Sequence, residues 1–195
     1  MGPNVCITNN TDIQESCEIK NSTISNCKIG KNCLIFGCYL KDTTIKDNCT
    51  VLNSVVFNST VGQNTNIGPF TYLRDNATVG PNCRVGDFVE IKKSTLNDGT
   101  KCAHLSYVGD AVVGKNCNIG CGCLFANYDG KNKHQITVGN NCFLGANVNL
   151  VAPLNISENC FIVAGTTVRK NLLPNTFVVH LTAQKVVKNK NSPSN

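Results

Sequence analysis

Residues 112–125 read VVGKNCNIGCGCLF, and the spacing inside them decides the fold. Val113, Ile119 and Phe125 stand six residues apart, and Cys117 and Cys123 each sit two before the next of them. An amphipathic helix repeats its apolar face every three or four residues and does not produce this period. Short strands joined by turns do. Alternate side chains of a strand share a face, so the aliphatic residue and the small residue two before it both point inward. A unit of six residues is the signature of a parallel β-helix, with three units to each triangular coil.

Working outward, the same rhythm covers nearly the whole chain. It steps by five or six residues from Ile7 to Phe125 and resumes from Val138 through Leu144, Leu150, Ile156 and Ile162 to Val168. That gives 28 units, or about nine coils, of an all-β domain over residues 1–170. Accidental periodicity in a β-sandwich does not hold phase over so many units. Two segments break the rhythm. Residues 126–137, which contain ANYDGKNK, read as a loop extruded from the prism, with Asp-Gly permitting a sharp turn. Residues 171–195 read as a short C-terminal tail.

Composition narrows the function. The chain has 195 residues, a net charge of +6, 6% aromatics and no Trp. That is a mild basic excess without the clustered Arg and exposed aromatics that nucleic-acid binding needs, and it suits anionic small molecules. The 13 cysteines are odd in number, and ten of them occupy the small inward position of the repeat. They are therefore expected to be free thiols used as small buried hydrophobes. The start MGPNVCITNN has neither a basic segment nor an apolar run, so no secretory signal is expected. No stretch approaches the ~20 apolar residues of a membrane span. A soluble, cytoplasmic protein is the expectation.

The period also places polar side chains. Arg74 and Lys92 each follow a marked residue by one, three units apart, so they stack on one face. Glu90 and Tyr107 precede theirs by one and point outward on that face. His104 and Cys121 follow theirs by two and stack at the corner leading into it, with Asn118 just before. A lone Arg or Lys is usually a surface charge, and a lone His usually a satisfied structural one. Gathered at one edge of a chain with few charges, they read as a site: two cations for a phosphate and an imidazole for proton transfer.

GPFTYLRDNATVG (68–80), VGDFVEIKKSTL (85–96), HLSYVGDAVVGKNCNIGCG (104–122) and NYDGKNKHQITVG (127–139) resemble one family closely. It is the C-terminal acetyltransferase domain of the bacterial bifunctional UDP-N-acetylglucosamine pyrophosphorylase/glucosamine-1-phosphate N-acetyltransferase. The resemblance implies a left-handed β-helix, a homotrimer, and acetyl transfer from acetyl-coenzyme A to glucosamine 1-phosphate, with no bound cofactor and no metal. It makes His104 the general base. Arg74, Lys92, Tyr107 and Lys133 would hold the phosphate, and Asn118 and Asn127 the sugar. Tyr128 would line the sugar or pantetheine side. The N–H of Cys121 would meet the thioester oxygen, with Ala146 and Ala164 bordering coenzyme A. Glu90 is the expected partner that orients His104. The loop is expected to carry Asn, Tyr and Lys side chains to a neighbouring subunit's cleft.

Some positions depart from the pattern. Cys121 stands where Ala is usual, and Ala146 where Ser is usual. No Arg follows Arg169, so Lys185, or else His180, would take the family's coenzyme-contacting Arg. There is no Gly-rich nucleotide loop, which points to a stand-alone acetyltransferase or a domain expressed alone. The rivals are an acyltransferase for another amino-sugar phosphate or nucleotide sugar, and a non-catalytic trimeric scaffold. A zinc carbonic anhydrase of this fold needs three His from adjacent coils, and His104, His134 and His180 do not supply them.

Overall fold

The computed structural model describes residues 2–179. Among these residues it has twenty-nine strands of two to four residues. They form three parallel sheets of ten, nine and ten strands. Successive strands fall in successive sheets, and each pairs with the strand one coil on, so the chain winds as a parallel β-helix of about ten coils. The first sheet holds Tyr72–Arg74, Glu90–Lys92, Tyr107–Gly109 and Leu124–Ala126. The third holds Arg84–Asp87, Lys101–His104 and Asn118–Ile119. The periodic reading is met in register: Leu73 pairs with Ile91 and Arg74 with Lys92.

The core is the file of marked residues. Ile35, Val51, Ile67 and Val85 are at most 1% exposed and stack coil on coil. Each rung is covered above and below, so truncating one to Ala leaves a cavity, worth about 2–5 kcal/mol. Two devices complete each coil. Asparagine fills most of the corner leading into the third sheet, with Ser16 and Gly99 in the remaining coils. Asn32, Asn48, Asn64, Asn82, Asn116, Asn141, Asn159 and Asn175 all have φ of 54–60°. Asn tolerates this left-handed geometry better than other side chains with a Cβ. Its amide also reaches along the corner: Asn32 donates to Asn48 at 3.1 Å and Asn48 to Asn64 at 3.1 Å.

The cysteines supply the second device. All thirteen are free. Nine of the ten in the small inward position are more than apolar filler, because their thiols face a carbonyl of the next coil. Cys49 Sγ lies 3.0 Å from Gly62 O and Cys117 Sγ 3.0 Å from Gly139 O. Thr65 and Thr100 fill the same position and donate to Gly80 O at 2.8 Å and Gly114 O at 2.7 Å. The position needs a short side chain with a donor, which is why Cys and Thr alternate there.

Two expected boundaries move. The helix continues past residue 170: Leu172 bridges Ile156, and Phe177–Val178 pairs with Phe161–Ile162. Asn175-Thr176-Phe177-Val178 repeats the pattern of Asn116-Cys117-Asn118-Ile119, so the rhythm returns after a short gap. The loop is shorter than 126–137. Ala126 still pairs with Val151, and Ile136 pairs with Ala111 and Leu154, which leaves 127–135 outside the strands. Among the described residues no helix is long and apolar enough to cross a membrane.

Candidate active site

The corner leading out of the third sheet carries a file of five residues: Asp87, His104, Cys121, Ala146 and Ala164. Backbone bonds tie it coil to coil. Leu105 N donates to Asp87 O at 2.9 Å, Gly122 N to His104 O at 3.4 Å, Asn147 N to Cys121 O at 2.7 Å and Gly165 N to Ala146 O at 2.8 Å. His104 lies half out of the surface, and its Nδ1 is 2.9 Å from Asp87 Oδ1. The N–H of Cys121 has no backbone acceptor among the described residues. Cys121 and Ala164 are exposed and Ala146 is half-buried, so the file beyond His104 is an open strip of small side chains.

Glu90 does not orient His104 as expected. Its Oε1 accepts from Arg74 Nε at 2.8 Å and Nη2 at 2.7 Å, and it lies on the first sheet beside Tyr107. Asp87 takes the role. The signal is present in the sequence: Asp87 follows Val85 by two, just as His104 follows Cys102 by two, so the period stacks them.

The cations gather on the first sheet. Arg74 is also paired with Asp75 at 2.8 Å and stands over the Tyr72 ring at 5.6 Å. Lys92 is buried at 6% exposure, its ammonium 3.1 Å from Asp110 Oδ2. Asp110 also accepts from the side-chain amide of Asn127. Burial would push the Asp110 carboxyl up, but the Lys92 ammonium and the Asn127 amide outweigh it and hold it below its ordinary value. Lys133 is pushed below the usual lysine range, chiefly by contact with Lys92, with Arg74 adding to the effect. Like charges repelling across a small space are what an anion would relieve.

The loop serves this group from within its own chain. Asn127 is buried at 6% exposure, and its amide lies 3.5 Å from Tyr107 Oη. Asn127 therefore turns to its own chain, contrary to expectation, because Asp110 holds it, while Lys133 is exposed beside Lys92. Asp129 shapes the turn by accepting from the N–H of Lys131 at 2.8 Å and of Asn132 at 2.7 Å, and its other oxygen meets His134 Nε2 at 2.7 Å. Tyr128 is exposed, bridges Lys133 across the loop and donates to Gly130 O at 2.7 Å. A cleft of about 170 Å³ lies between loop and sheet, lined by Lys93, Asp110, Lys133, His134 and Gln135.

Asp110 and Gly109 join the site without having been expected from the sequence. Gly109 follows Lys92 in the cation file, and a Cβ there would lie 2.3 Å from Tyr107 Oη. Only glycine lets that ring fold across. Tyr107, three residues after His104 in sequence, lies with the cation group, beside Asn127 and over Gly109. Asn118 stands on the third sheet between Lys101 and Phe143 and joins neither this group nor the His104 file by contact. Lys185 and His180 lie outside the described residues. A larger hollow of about 370 Å³ lies elsewhere, lined by second-sheet residues such as Val112, Thr137 and Asn155, and has no cation, His or Cys in its wall.

The family model of the GMPPB C-terminal domain matches residues 56–178. The chain is 48% identical over 144 residues to the "Bifunctional protein GlmU" of Clostridium beijerinckii, covering 73% of this chain and 32% of that one. It is 38% identical over 191 residues to the "Bifunctional protein GlmU" of Ruthia magnifica, covering 97% of this chain and 38% of that one. The chain thus spans about a third of the length of these relatives. Among solved structures, a UDP-N-acetylglucosamine acyltransferase from Campylobacter jejuni aligns with a TM-score of 0.64 at 13% identity, over 88% of this chain and 70% of that one. The corresponding enzyme of Bacteroides fragilis aligns with a TM-score of 0.59 at 17% identity, over 92% and 71%. At such identities the structural likeness concerns the fold alone.

Proposed function

The chain belongs to the family of the GMPPB C-terminal domain, and on that footing we propose that it is an acetyltransferase. It moves acetyl from acetyl-coenzyme A to the amine of glucosamine 1-phosphate, giving N-acetylglucosamine 1-phosphate for UDP-N-acetylglucosamine synthesis. The similarity to the GlmU proteins supports this reading. The observation that carries it is the pairing of a cation cluster, Arg74, Lys92 and Lys133, with an imidazole held on one nitrogen and free on the other.

In this reading Arg74, Lys92 and Lys133, with Tyr107, take the phosphate, and Asn118 and Asn127 take sugar hydroxyls. The lone pair of the free amine forms a bond to the thioester carbonyl carbon, His104 Nε2 accepts the proton that the nitrogen sheds as the bond forms, and the N–H of Cys121 faces the developing oxyanion. The C–S bond breaks, and the leaving thiolate takes the proton back from His104. Ala146 and Ala164 offer the pantetheine arm a surface without bulk. Lys185 would meet the anionic end of the coenzyme. The site is open, strung along one corner, the adjoining sheet face and the loop, so three copies packed side by side would close it, with Tyr128 projecting toward a neighbour. The setting is cytoplasmic.

The test is coenzyme A release with glucosamine 1-phosphate, glucosamine and UDP-glucosamine as competing acceptors. Glucosamine 1-phosphate should be used best by a wide margin. Equal rates with and without the phosphate would overturn the reading, and preference for UDP-glucosamine would replace the acceptor with a nucleotide sugar.

A further inference from the structure

We propose that Asp87 is a positioning residue that selects the tautomer of His104. The inference rests on the acetyl-transfer reading above and deepens it.

The geometry is specific. Asp87 and His104 are in-register partners on adjacent coils, and their side chains meet at 2.9 Å between Oδ1 and Nδ1. The main chain clamps the pair from both sides. Leu105 N donates to Asp87 O at 2.9 Å, and His104 O accepts from Ser106 Oγ at 2.8 Å and from Gly122 N of the following coil. Asp87 has no other side-chain partner among the described residues, while the nearby Glu90 is committed to Arg74.

A carboxylate only accepts hydrogen bonds, so the ring nitrogen facing it must carry the hydrogen. That nitrogen is Nδ1, and Nε2 is left with its lone pair. A neutral imidazole in water prefers the opposite arrangement, with the hydrogen on Nε2. Unpartnered, His104 would hold a proton on the nitrogen that must receive one. Asp87 inverts the default, and its charge lies in line with the ring when imidazolium forms. Cys121, one coil further along the same file, follows the ring on its other side.

Asp87→Asn tests this, because its amide can donate to Nδ1 and so favour the hydrogen on Nε2. Nitrogen-15 spectra of His104 report the tautomer directly, and steady-state kinetics report the consequence. The wild-type neutral ring should carry its hydrogen on Nδ1, and in Asp87→Asn it should move to Nε2. The variant's kcat should fall by at least about tenfold, toward the ~10²–10⁴ of losing a base altogether. Both KM values should stay within about twofold, since neither binding group is touched. Asp87→Glu, which keeps an acceptor-only group, should keep the Nδ1–H form. A wild-type ring found as Nε2–H overturns the proposal whatever the activity, and so does an Asp87→Asn enzyme with unchanged tautomer and kcat. If no acceptor is acetylated, the spectra still decide the Asp87–His104 relation, so failure of the functional reading is told apart from failure of this one.

Discussion

Two corners bracket the third sheet, and they are built from different residues. The corner leading in is asparagine in eight coils, with Ser16 and Gly99 in two others. The corner leading out uses Asn53, Phe70, Phe88, Leu105, Gly122, Asn147 and Gly165 in turn. The backbone demand is the same at both: the outgoing residues also sit in the left-handed region, with φ of 43–74°. Phe88 and Leu105 are therefore costly choices, at roughly 1–2 kcal/mol each for a Cβ in this region. They directly follow Asp87 and His104. Phe70 and Phe88 recover something by stacking, with centroids 5.5 Å apart. Where residue type is confined to asparagine, serine and glycine, the corner answers only to the chain. Where it varies under the same φ, the side chains are being used for something else.

The largest expected effect separates the two corners by activity. His104→Ala, at the outgoing corner, should lower kcat by ~10²–10⁴ with KM nearly unchanged. Its melting temperature should hardly move, since the ring is half exposed. Asn159→Ala, in the asparagine file, should do the reverse. It removes side-chain bonds to Asn141 at 3.2 Å and Asn175 at 3.1 Å and leaves at φ 57° a residue without the short polar side chain that lets Asn tolerate this geometry. Stability should fall by about 1–2 kcal/mol with kcat intact, and Asn159→Gly should lose less. A His104→Ala enzyme with a third of its activity, or an Asn159→Ala enzyme without any, would break the distinction.

A smaller effect sharpens it on the first sheet, where Lys92 answers to both structure and ligand. Lys92→Ala should raise KM for the sugar phosphate by about 1.5–3 kcal/mol, the worth of a charged hydrogen bond. It also takes from Asp110 its nearest cation, leaving the Asn127 amide and the more distant Lys93, so stability should fall as well. The sign with pH follows from the depressed Asp110 carboxyl. Its contribution is full above the ordinary carboxylate value of 3.8 and is lost as pH falls through the lower folded value. Asp110→Asn should therefore lose stability against wild type at neutral pH, and the gap should narrow in acid. Chemical denaturation across that range checks it, and a gap that widens in acid would contradict the assigned ion pair.

How much was legible follows the same division. The fold was, because each residue of a coil lies over its counterpart one coil on: Val113, Ile119 and Phe125 state the period by themselves. The cation file Arg74–Lys92 was legible for the same reason. The partner of His104 was not read correctly, because Glu90 was chosen by face when contacts at a corner run along the file. Counting two residues from Val85 gives Asp87. Asp110 was harder, since its partners arrive from a loop whose course no period describes. The same absence of period made Asn127 look free to leave its own subunit.

The smallest effect concerns the inward position next to the asparagine corner. Cys83 is buried at 2% exposure, and its thiol lies 3.2 Å from Asn97 O. Its own N–H donates to the hydroxyl of Thr65 at 3.1 Å, one coil before. Thr100, one coil after, makes with Gly114 O the bond that Cys83 makes with Asn97 O. Cysteine and threonine are thus interchangeable here, since each fills a small space and donates to a carbonyl. Cys83→Ala empties part of that space and leaves Asn97 O with only the N–H of Thr100, so it should cost about 1 kcal/mol. Cys83→Thr restores the donor with a side chain already accepted on both sides, and its cost should be smaller. Neither change approaches His104, so kcat should be that of wild type in both. Reductant should leave the melting temperature of all three proteins unmoved, because these thiols are free. If Cys83→Thr proves worse than Cys83→Ala, the position selects for size alone, and the thiol–carbonyl contact contributes nothing to the corner.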